Sequence, residues 1–159
     1  MGSDHESNRQ QDNESPQAWD VITVTTPEEL LGAAELFDAE VTVEGASDAL
    51  ARHGQHFLLA VTRTGQAIGF VSGVEMRHPD KEAEMFVNEL GVSPSWRRQG
   101  VARSLLSALG DRARSRGCTG LWTATEPDND AALATYRSLG AEAEQTAVMI
   151  DIGLLSWTD

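Results

Sequence analysis

Residues 97–102 read Arg-Arg-Gln-Gly-Val-Ala and have the composition and position of a phosphate-binding turn. They follow an apolar, strand-like stretch that ends at Val92, and the apolar residues after them recur at helical spacing. A turn of this kind, at the start of a helix, points several backbone N–H groups outward at the positive end of the helix dipole. Gly100 allows close approach to the backbone, and the small Ala102 keeps the first turn open. The segment therefore predicts a phosphorylated ligand.

A second informative block lies between residues 126 and 140. Pro127, Asp128 and Asn129 are typical of a turn and a helix N-cap, and Gly140 is typical of a C-cap. The residues between them predict a short helix. Neither block has the spacing of the common nucleotide loops, since Gly-x-x-x-x-Gly-Lys-Ser/Thr and Gly-x-Gly-x-x-Gly are both missing.

Together, the two blocks resemble the GNAT superfamily of N-acetyltransferases. The acetyl-coenzyme A loop of that family, Gln/Arg-x-x-Gly-x-Gly/Ala, is filled by Arg97, Gly100 and Ala102. Its second motif, Asn-x-x-Ala-x-x-x-Tyr-x-x-x-Gly, is filled by Asn129, Ala132, Tyr136 and Gly140. The motifs occur in the family's order, with a strand-like stretch between them.

The resemblance implies acetyl-coenzyme A as cosubstrate. The residues that it implies for binding the coenzyme are Leu90, Gly91, Val92, Arg97, Arg98, Gln99, Gly100, Val101, Ala102, Arg103, Asn129 and Tyr136. The first three belong to the stretch whose backbone, by resemblance, runs beside the acetyl and pantetheine groups.

Acetyl transfer from a thioester to an amine makes three chemical demands. The amine must be neutral when it attacks, the oxyanion needs hydrogen-bond donors, and the leaving thiolate is expelled more easily with a proton or hydrogen bond. Tyr136, the single tyrosine, lies at the motif's tyrosine place and is predicted to supply a phenolic donor near the coenzyme sulfur. A tyrosine packed on the core is the structural alternative, and one residue can do both.

Glu89 is the first choice for the catalytic base, and Glu84 is its competitor. In a regular strand, residues five apart point to opposite faces, so only one of the two can face a given cleft unless a bulge intervenes. The alternative for either residue, and above all for Glu84, is a solvated or salt-bridged strand carboxylate.

Residues 84–92, the Arg97 loop and the segment from Ala132 to Gly140 look most like the aminoglycoside 3-N-acetyltransferases. Two residues depart from that branch: position 89 is Glu where Asp is expected, and Gly91 replaces the more usual Ala. A longer side chain at position 89 moves the carboxylate outward. Polyamines, a peptide amine or another amino sugar therefore remain acceptors besides the aminoglycosides.

The rest of the chain alternates strand and helix signals around these motifs. A helix opens at Pro27 and carries apolar residues through Phe37, and a second short helix fits Ala46–Arg52. The predicted strands are Val21–Val24, Phe57–Thr62, Ala67–Glu75, Glu84–Val92, Gly120–Thr125 and a closing Gln145–Ile152. This order predicts an α/β (α+β) fold with a central mixed, mostly antiparallel sheet and helices on both faces.

The 159 residues are expected to form one GNAT-like domain over residues 19–159. Residues 1–18 lack large apolar side chains apart from Met1 and are predicted to be a flexible acidic and polar tail. No apolar run approaches membrane-spanning length and no signal-peptide core is present, so a cytoplasmic protein without a membrane partner is expected. Cys118 is the only cysteine and is expected to be a buried thiol.

The formal net charge of −13, from 25 acidic and 12 basic side chains, argues against a nucleic-acid partner. Attraction of a cationic substrate and simple solubility both explain the acidity. No metal site is expected, because the four histidines are scattered over separate segments.

Three functions fit these features. The first is an acetyl-coenzyme A-dependent acetyltransferase of a cationic small-molecule amine, with an aminoglycoside as one candidate. The second is a protein or peptide acetyltransferase of the same fold, and the third is an acyl-coenzyme A-binding module without turnover. A homodimer is expected by analogy with relatives alone.

Overall fold

Five strands lie side by side in chain order in the computed structural model, which describes residues 18–143. They are β1 (Trp19–Thr23), β2 (Gln55–Thr62), β3 (Ala67–Met76), β4 (Ala83–Val92) and β5 (Cys118–Trp122). The first four pair antiparallel, and β5 lies parallel to β4. The predicted mixed, mostly antiparallel sheet is confirmed. The predicted tail, apart from Ala18, and the predicted closing strand Gln145–Ile152 lie outside the described residues.

Two short helices, α1 (Pro27–Gly32) and α2 (Val43–Ala51), cover one face of the sheet over β2 and β3. The prediction of one helix from Pro27 through Phe37 is wrong, because α1 stops at Gly32 and a separate 3-10 turn follows at Ala34–Leu36. Helix α2 begins three residues earlier than expected, since the Thr42 hydroxyl accepts the Gly45 N–H at 3.0 Å and caps it there.

Helix α3 (Val101–Ser115) covers the opposite face, as the apolar spacing predicts. Its buried residues pack on the sheet in one cluster with Ile68, Val71 and Met85. Helix α3 lies close to β3, because a Cβ atom at Gly73 would lie only 2.9 Å from the Leu109 side chain. The short helix α4 (Asp130–Arg137) packs beside α3.

A buried carboxylate, Glu75, ties the far end of α3 to the sheet. Its side chain is 1% exposed and accepts hydrogen bonds from Arg116 and Arg77 and lies 2.8 Å from His56 Nε2. Arg112 Nε in turn donates to His56 Nδ1 at 3.3 Å. Burial alone would raise the pKa of the Glu75 carboxyl, but the hydrogen bonds with Arg116, His56 and Arg77 outweigh burial and lower that pKa to about 2.

Cys118, the first residue of β5, is a buried free thiol, as expected from the sequence. Burial raises the pKa of this thiol, and the nearby Glu75 carboxylate adds to the effect. The thiol therefore stays protonated and shielded at neutral pH.

Candidate functional site

A β-bulge in β4 sets the geometry of the candidate site. Ser72 of β3 lies opposite Glu89, and the next residue, Gly73, lies opposite Val87, so Asn88 is the extra residue of β4. The extra residue shifts the alternation of side chains by one position. Glu89 therefore points to the face opposite α3, which it would not do in a regular strand that keeps Val87 on the α3 side.

The bulge brings both candidate carboxylates to the same face. Along β4, that face presents in turn Glu84, Phe86, Glu89 and Gly91, whose partners on β3 are Met76, Val74, Ser72 and Phe70. Because the partners are two residues apart in a strand, neighbouring members of this row are about 7 Å apart. The sequence predicted opposite faces for Glu84 and Glu89 only if the strand was regular. The bulge at Asn88 is the exception that the prediction allowed.

Beyond the bulge, β4 has an open edge. Its pairing with β5 covers only Ala83 to Phe86. The Thr123 hydroxyl then donates to the Val87 carbonyl at 3.0 Å, where the backbone ladder ends. Along residues 88–92, no described strand pairs with this edge. Among the described residues, backbone N–H and C=O groups of alternate residues therefore have no strand partner there, as the addition of an extended ligand would require.

The open edge leads directly into the predicted phosphate turn. A 3-10 turn at Pro94–Trp96, which the sequence patterns did not indicate, joins β4 to the turn. Arg97 Nε donates to the Val92 carbonyl at 3.2 Å and fixes the turn against the strand end. Arg98 and Gly100 both have left-handed backbone, with φ of 60° and 92°.

The start of α3 offers unpaired backbone donors. The Ser104 N–H donates to the Gly100 carbonyl at 3.0 Å, so the N–H groups of the three residues before Ser104 precede the helical ladder. A Cβ atom at Gly100 would meet no atom within 4 Å, so the space in front of the turn is open. With the exposed Arg98 and Arg103 beside it, this helix start has the donors and the charge that a phosphate needs.

Tyr136 lies on the α3 side of β4. It is half-buried and packs against the core cluster that also contacts Leu90 and Val92. Glu89 is exposed on the other face of the same strand segment. Of the two predicted catalytic groups, Glu89 thus lies on one face of the sheet and Tyr136 on the other. Asn129 serves as the N-cap of α4, since its side-chain oxygen accepts the Ala132 N–H at 3.1 Å.

The structure distinguishes Glu84 from Glu89. Glu84 is ion-paired with Lys81 at 3.2 Å near the start of β4, and its carboxylate lies 3.9 Å from His78 Nε2. Glu89 lies two positions along the row, beside the open edge. The catalytic roles of Glu89 and Glu84 stay predictions. The ion pair with Lys81 is what the alternative for Glu84, a salt-bridged strand carboxylate, predicts.

Gly91 is explained by its neighbours. A Cβ atom there would lie 2.5 Å from the Phe70 ring and 3.3 Å from the Leu36 carbonyl, so the position has no room for alanine. Phe37 packs on the same Phe70 ring, with the ring centroids 4.2 Å apart. The exposed acidic residues that follow, Asp38 and Glu40, therefore extend from a segment held beside Gly91.

Three features of this face were missed by the sequence patterns. The Ser72 hydroxyl, opposite Glu89, is buried without a hydrogen-bond partner among the described residues. Phe86 and Trp122 form an aromatic pair across β4 and β5. Thr123 ends the β4–β5 ladder. The available sequence signals were a serine within the apolar run of β3 and a tryptophan at the end of β5.

Two kinds of site are missing from residues 18–143. No three His, Cys, Asp or Glu side chains gather where they could hold a metal ion. Within the same residues, no helix combines the length and the apolar composition that a membrane span requires.

The sequence profile of the Acetyltransferase (GNAT) family matches residues 16–141. An L-2,4-diaminobutyric acid acetyltransferase of Nocardia farcinica is 36% identical over 75 residues, which are 47% of this chain and 38% of that protein. A ribosomal protein bS18-alanine N-acetyltransferase of Escherichia coli is 42% identical over 59 residues, which are 37% of this chain and 38% of that protein. The chain thus aligns with well under half of the length of these curated relatives.

Solved structures share the fold over most of the chain. An aminoglycoside acetyltransferase from an uncultured soil metagenomic sample superposes with a TM-score of 0.78 at 17% identity, covering 86% of this chain and 97% of that one. The aminoglycoside 6′-N-acetyltransferase AAC(6′)-Ih of Acinetobacter baumannii superposes with a TM-score of 0.71 at 20% identity, covering 86% and 99%. Where these relatives name an acetylated position it is 6′, not the 3-N position that the sequence suggested.

Proposed function

Because this chain belongs to the acetyltransferase (GNAT) family, we propose that it transfers an acetyl group from acetyl-coenzyme A to a primary amine of a cationic small molecule. The transfer is a direct attack in a ternary complex. The observation on which the proposal rests is the open edge of β4, which runs into the start of α3 and has Glu89 beside it, with Tyr136 on the α3 side of the sheet.

The described residues fit an acyl-coenzyme A along this edge. The N–H groups at the start of α3, with Arg97, Arg98 and Arg103 nearby, suit the pyrophosphate. The backbone of Leu90 to Val92 offers donors and acceptors to the amides of the pantetheine arm, as a strand edge does to an added strand. Acetyl-coenzyme A supplies the activated acetyl group.

Glu89 and Tyr136 are each proposed to handle one proton. Glu89, directly or through a water, accepts a proton from the arriving ammonium and leaves a neutral amine. The amine nitrogen forms a bond to the thioester carbon, backbone N–H groups of the open edge stabilise the oxyanion, and the carbon–sulfur bond then breaks. Tyr136 donates a proton to the leaving thiolate, the nitrogen loses its second proton to water as the amide forms, and Glu89 and Tyr136 then exchange protons with solvent to regain their starting states. The products are the amide and free coenzyme A.

A cationic acceptor is supported by the charge around the edge. Glu89, Asp38 and Glu40 are exposed and lie on segments that meet near Gly91. The net charge of −13 favours the approach of cations over the whole surface. Aminoglycosides are one such class, and the similarity to aminoglycoside acetyltransferases supports them as candidates.

A peptide amine is the second candidate. It is favoured by the similarity to the bS18-alanine N-acetyltransferase, whose name gives an alanine of a ribosomal protein as the acceptor. This similarity covers 37% of the chain, so it is weaker support than the acidic face.

The test is a thiol-release assay with acetyl-coenzyme A across aminoglycosides, linear polyamines, neutral amines and alanyl peptides. We expect turnover with cationic small molecules and slow or no turnover with peptides. A preference for alanyl peptides would favour the second candidate. Tight acetyl-coenzyme A binding without thiol release for any amine would instead support the binding module without turnover.

A further inference from the structure

An aromatic pair, of which Phe86 is half-buried and Trp122 is exposed, lies next to the proposed reaction site. The rings of Phe86 and Trp122 are 4.6 Å apart between centroids and tilted by 51°. Trp122 is 43% exposed. Large aromatic side chains contribute most when they are buried, so an exposed Trp122 stacked on the half-buried Phe86 suggests a contact that a ligand completes.

The helices on that face leave the pair uncovered. The apolar cluster under α1 and α2 takes its sheet residues from β1, β2 and β3, and contains none from β4 or β5 in the described chain. Phe86 lies in the same row as Glu84 and Glu89, opposite Val74 of β3. Trp122 is its partner on β5. The aromatic pair is therefore part of the face on which the acceptor amine is proposed to arrive.

The distance between the pair and the proposed base is fixed by the register. Phe86 and Glu89 lie opposite Val74 and Ser72, which are two residues apart. Their Cα atoms are therefore about 7 Å apart, despite three steps in sequence. An extended diamine of about five carbons has a similar separation between its nitrogens.

The charge of this face matches a cation at the pair. The faces of aromatic rings attract ammonium groups, and Trp is the strongest of the aromatic side chains in this respect. Glu89 lies on one side of Phe86 in the row and Glu84 on the other. An ammonium over the rings would thus lie between two carboxylates, the second of which is shared with Lys81.

We infer that Phe86 and Trp122 bind a second, non-reacting ammonium group of the acceptor, so that the preferred substrate is a diamine or polyamine. This inference rests on the proposed function. The reacting amine loses its proton at Glu89, while the second amine keeps its charge over the rings. Spacing between the two nitrogens, and not total charge alone, then determines the preferred acceptor.

The test compares α,ω-diamines of three to eight carbons with ω-amino alcohols of the same lengths, using the full chain at saturating acetyl-coenzyme A. After correction for the two equivalent amines of a diamine, we expect kcat/KM to favour the diamine by about 2- to 30-fold. The preference is expected to be greatest where the nitrogens are about 7 Å apart. This length dependence needs no variant.

Variants of Trp122 identify the subsite. Trp122→Leu keeps an apolar side chain without the charge distribution of the ring and should abolish the preference for diamines, whereas Trp122→Phe should keep part of it. Leu121→Ala is the matched control, because Leu121 is 39% exposed on the opposite face of the same strand and should leave the preference unchanged. Thermal unfolding of each variant checks the fold.

The outcomes separate this inference from the proposed function. If diamines and amino alcohols react equally well, or if folded Trp122→Leu retains the preference, the subsite is wrong and the acetyltransferase proposal is unaffected. If no amine of any kind releases thiol, the proposed function itself fails.

Discussion

At the scale of single residues, the position of Glu89 depends on Asn88. The one extra residue turns the Glu89 carboxylate to the face opposite Tyr136, which is the face on which the acceptor amine is proposed to arrive. Without the bulge, the carboxylate would point toward α3 and the core. One extra residue therefore decides whether the Glu89 carboxylate lies on the same face of the sheet as Glu84.

Replacing Glu89 tests its assignment as the base. Glu89→Gln keeps the size of an exposed side chain, and we expect kcat/KM to fall about 10²- to 10⁴-fold because general base help is lost. The deficit should be greatest at low pH, where the amine is most protonated. The pH profile of kcat/KM measures this, and Glu82→Gln, in the exposed loop before β4, is the control. A uniform small effect at all pH values would contradict the assignment.

Tyr136 is tested by removing one oxygen. Tyr136→Phe keeps the half-buried ring and its packing on the core, so the fold and the affinity for acetyl-coenzyme A should not change. The turnover number should fall about 10²-fold or more if the hydroxyl assists the leaving thiolate. Single-turnover kinetics show whether chemistry limits the rate. Unchanged chemistry would remove Tyr136 from the mechanism.

At the scale of elements, the turn before α3 combines an open space with a backbone conformation that glycine adopts easily. Gly100→Val should weaken acetyl-coenzyme A binding roughly 10- to 100-fold, because the new side chain crowds the donors at the helix start. Calorimetric titration measures the affinity. Normal binding by a folded variant would show that the turn does not hold the pyrophosphate.

Gly65→Val is the matched control for that experiment. Gly65 has φ of 83° and no neighbour within 4 Å of its Cβ position, closely similar to Gly100, but it lies in the β2–β3 turn. Both substitutions strain a left-handed position by a similar amount. A loss of affinity in Gly100→Val alone therefore reports crowding of the ligand and not strain of the backbone.

The elements also show what sequence patterns can and cannot predict. The turn at 97–102 and the helix after it depend on neighbours in sequence, so both were predicted. The early end of α1 at Gly32 was not, because the apolar spacing continues through Phe37. The bulge at Asn88 and the contacts of Glu75 depend on residues from other strands and helices, with no local signature.

At the scale of the whole molecule, the excess of acidic side chains should increase the affinity for a cationic acceptor at low ionic strength. Raising ionic strength from 0.01 to 0.15 M shortens the screening length from about 30 to about 8 Å. We expect the KM of a cationic amine to rise severalfold over this range, at saturating acetyl-coenzyme A. Salt-independent KM values together with a preference for neutral amines would leave the charge as a solubility feature.

The stability of the whole molecule should depend on Glu75. Its folded-state pKa of about 2 lies below the ordinary value of 4.5, so its contribution is fully present above pH 4.5 and is lost as pH falls toward 2. Glu75→Gln should lower the free energy of unfolding by about 1–3 kcal/mol at pH 7, since the buried His56 and the partly exposed Arg77 and Arg116 lose their carboxylate partner. Urea denaturation at several pH values measures the difference, which should shrink below pH 4.5.

Asp111→Asn provides the contrast for that measurement. Asp111 pairs with Arg114 on the exposed surface of α3, with both side chains more than 70% exposed. Such a pair is worth about 0–1 kcal/mol. Equal losses from the two substitutions would mean that the Glu75 cluster is no more important to stability than a surface pair.

The buried Cys118 has a practical consequence for every rate proposed above. A reagent that detects free thiols counts one thiol for each coenzyme A released, and the enzyme's own sulfur is hidden from it while the chain is folded. Unfolding exposes that sulfur, which then adds one equivalent per chain. The same reagent, applied without substrate, therefore titrates the unfolded fraction of each variant, so a lost activity and a lost fold can be told apart in a single cuvette.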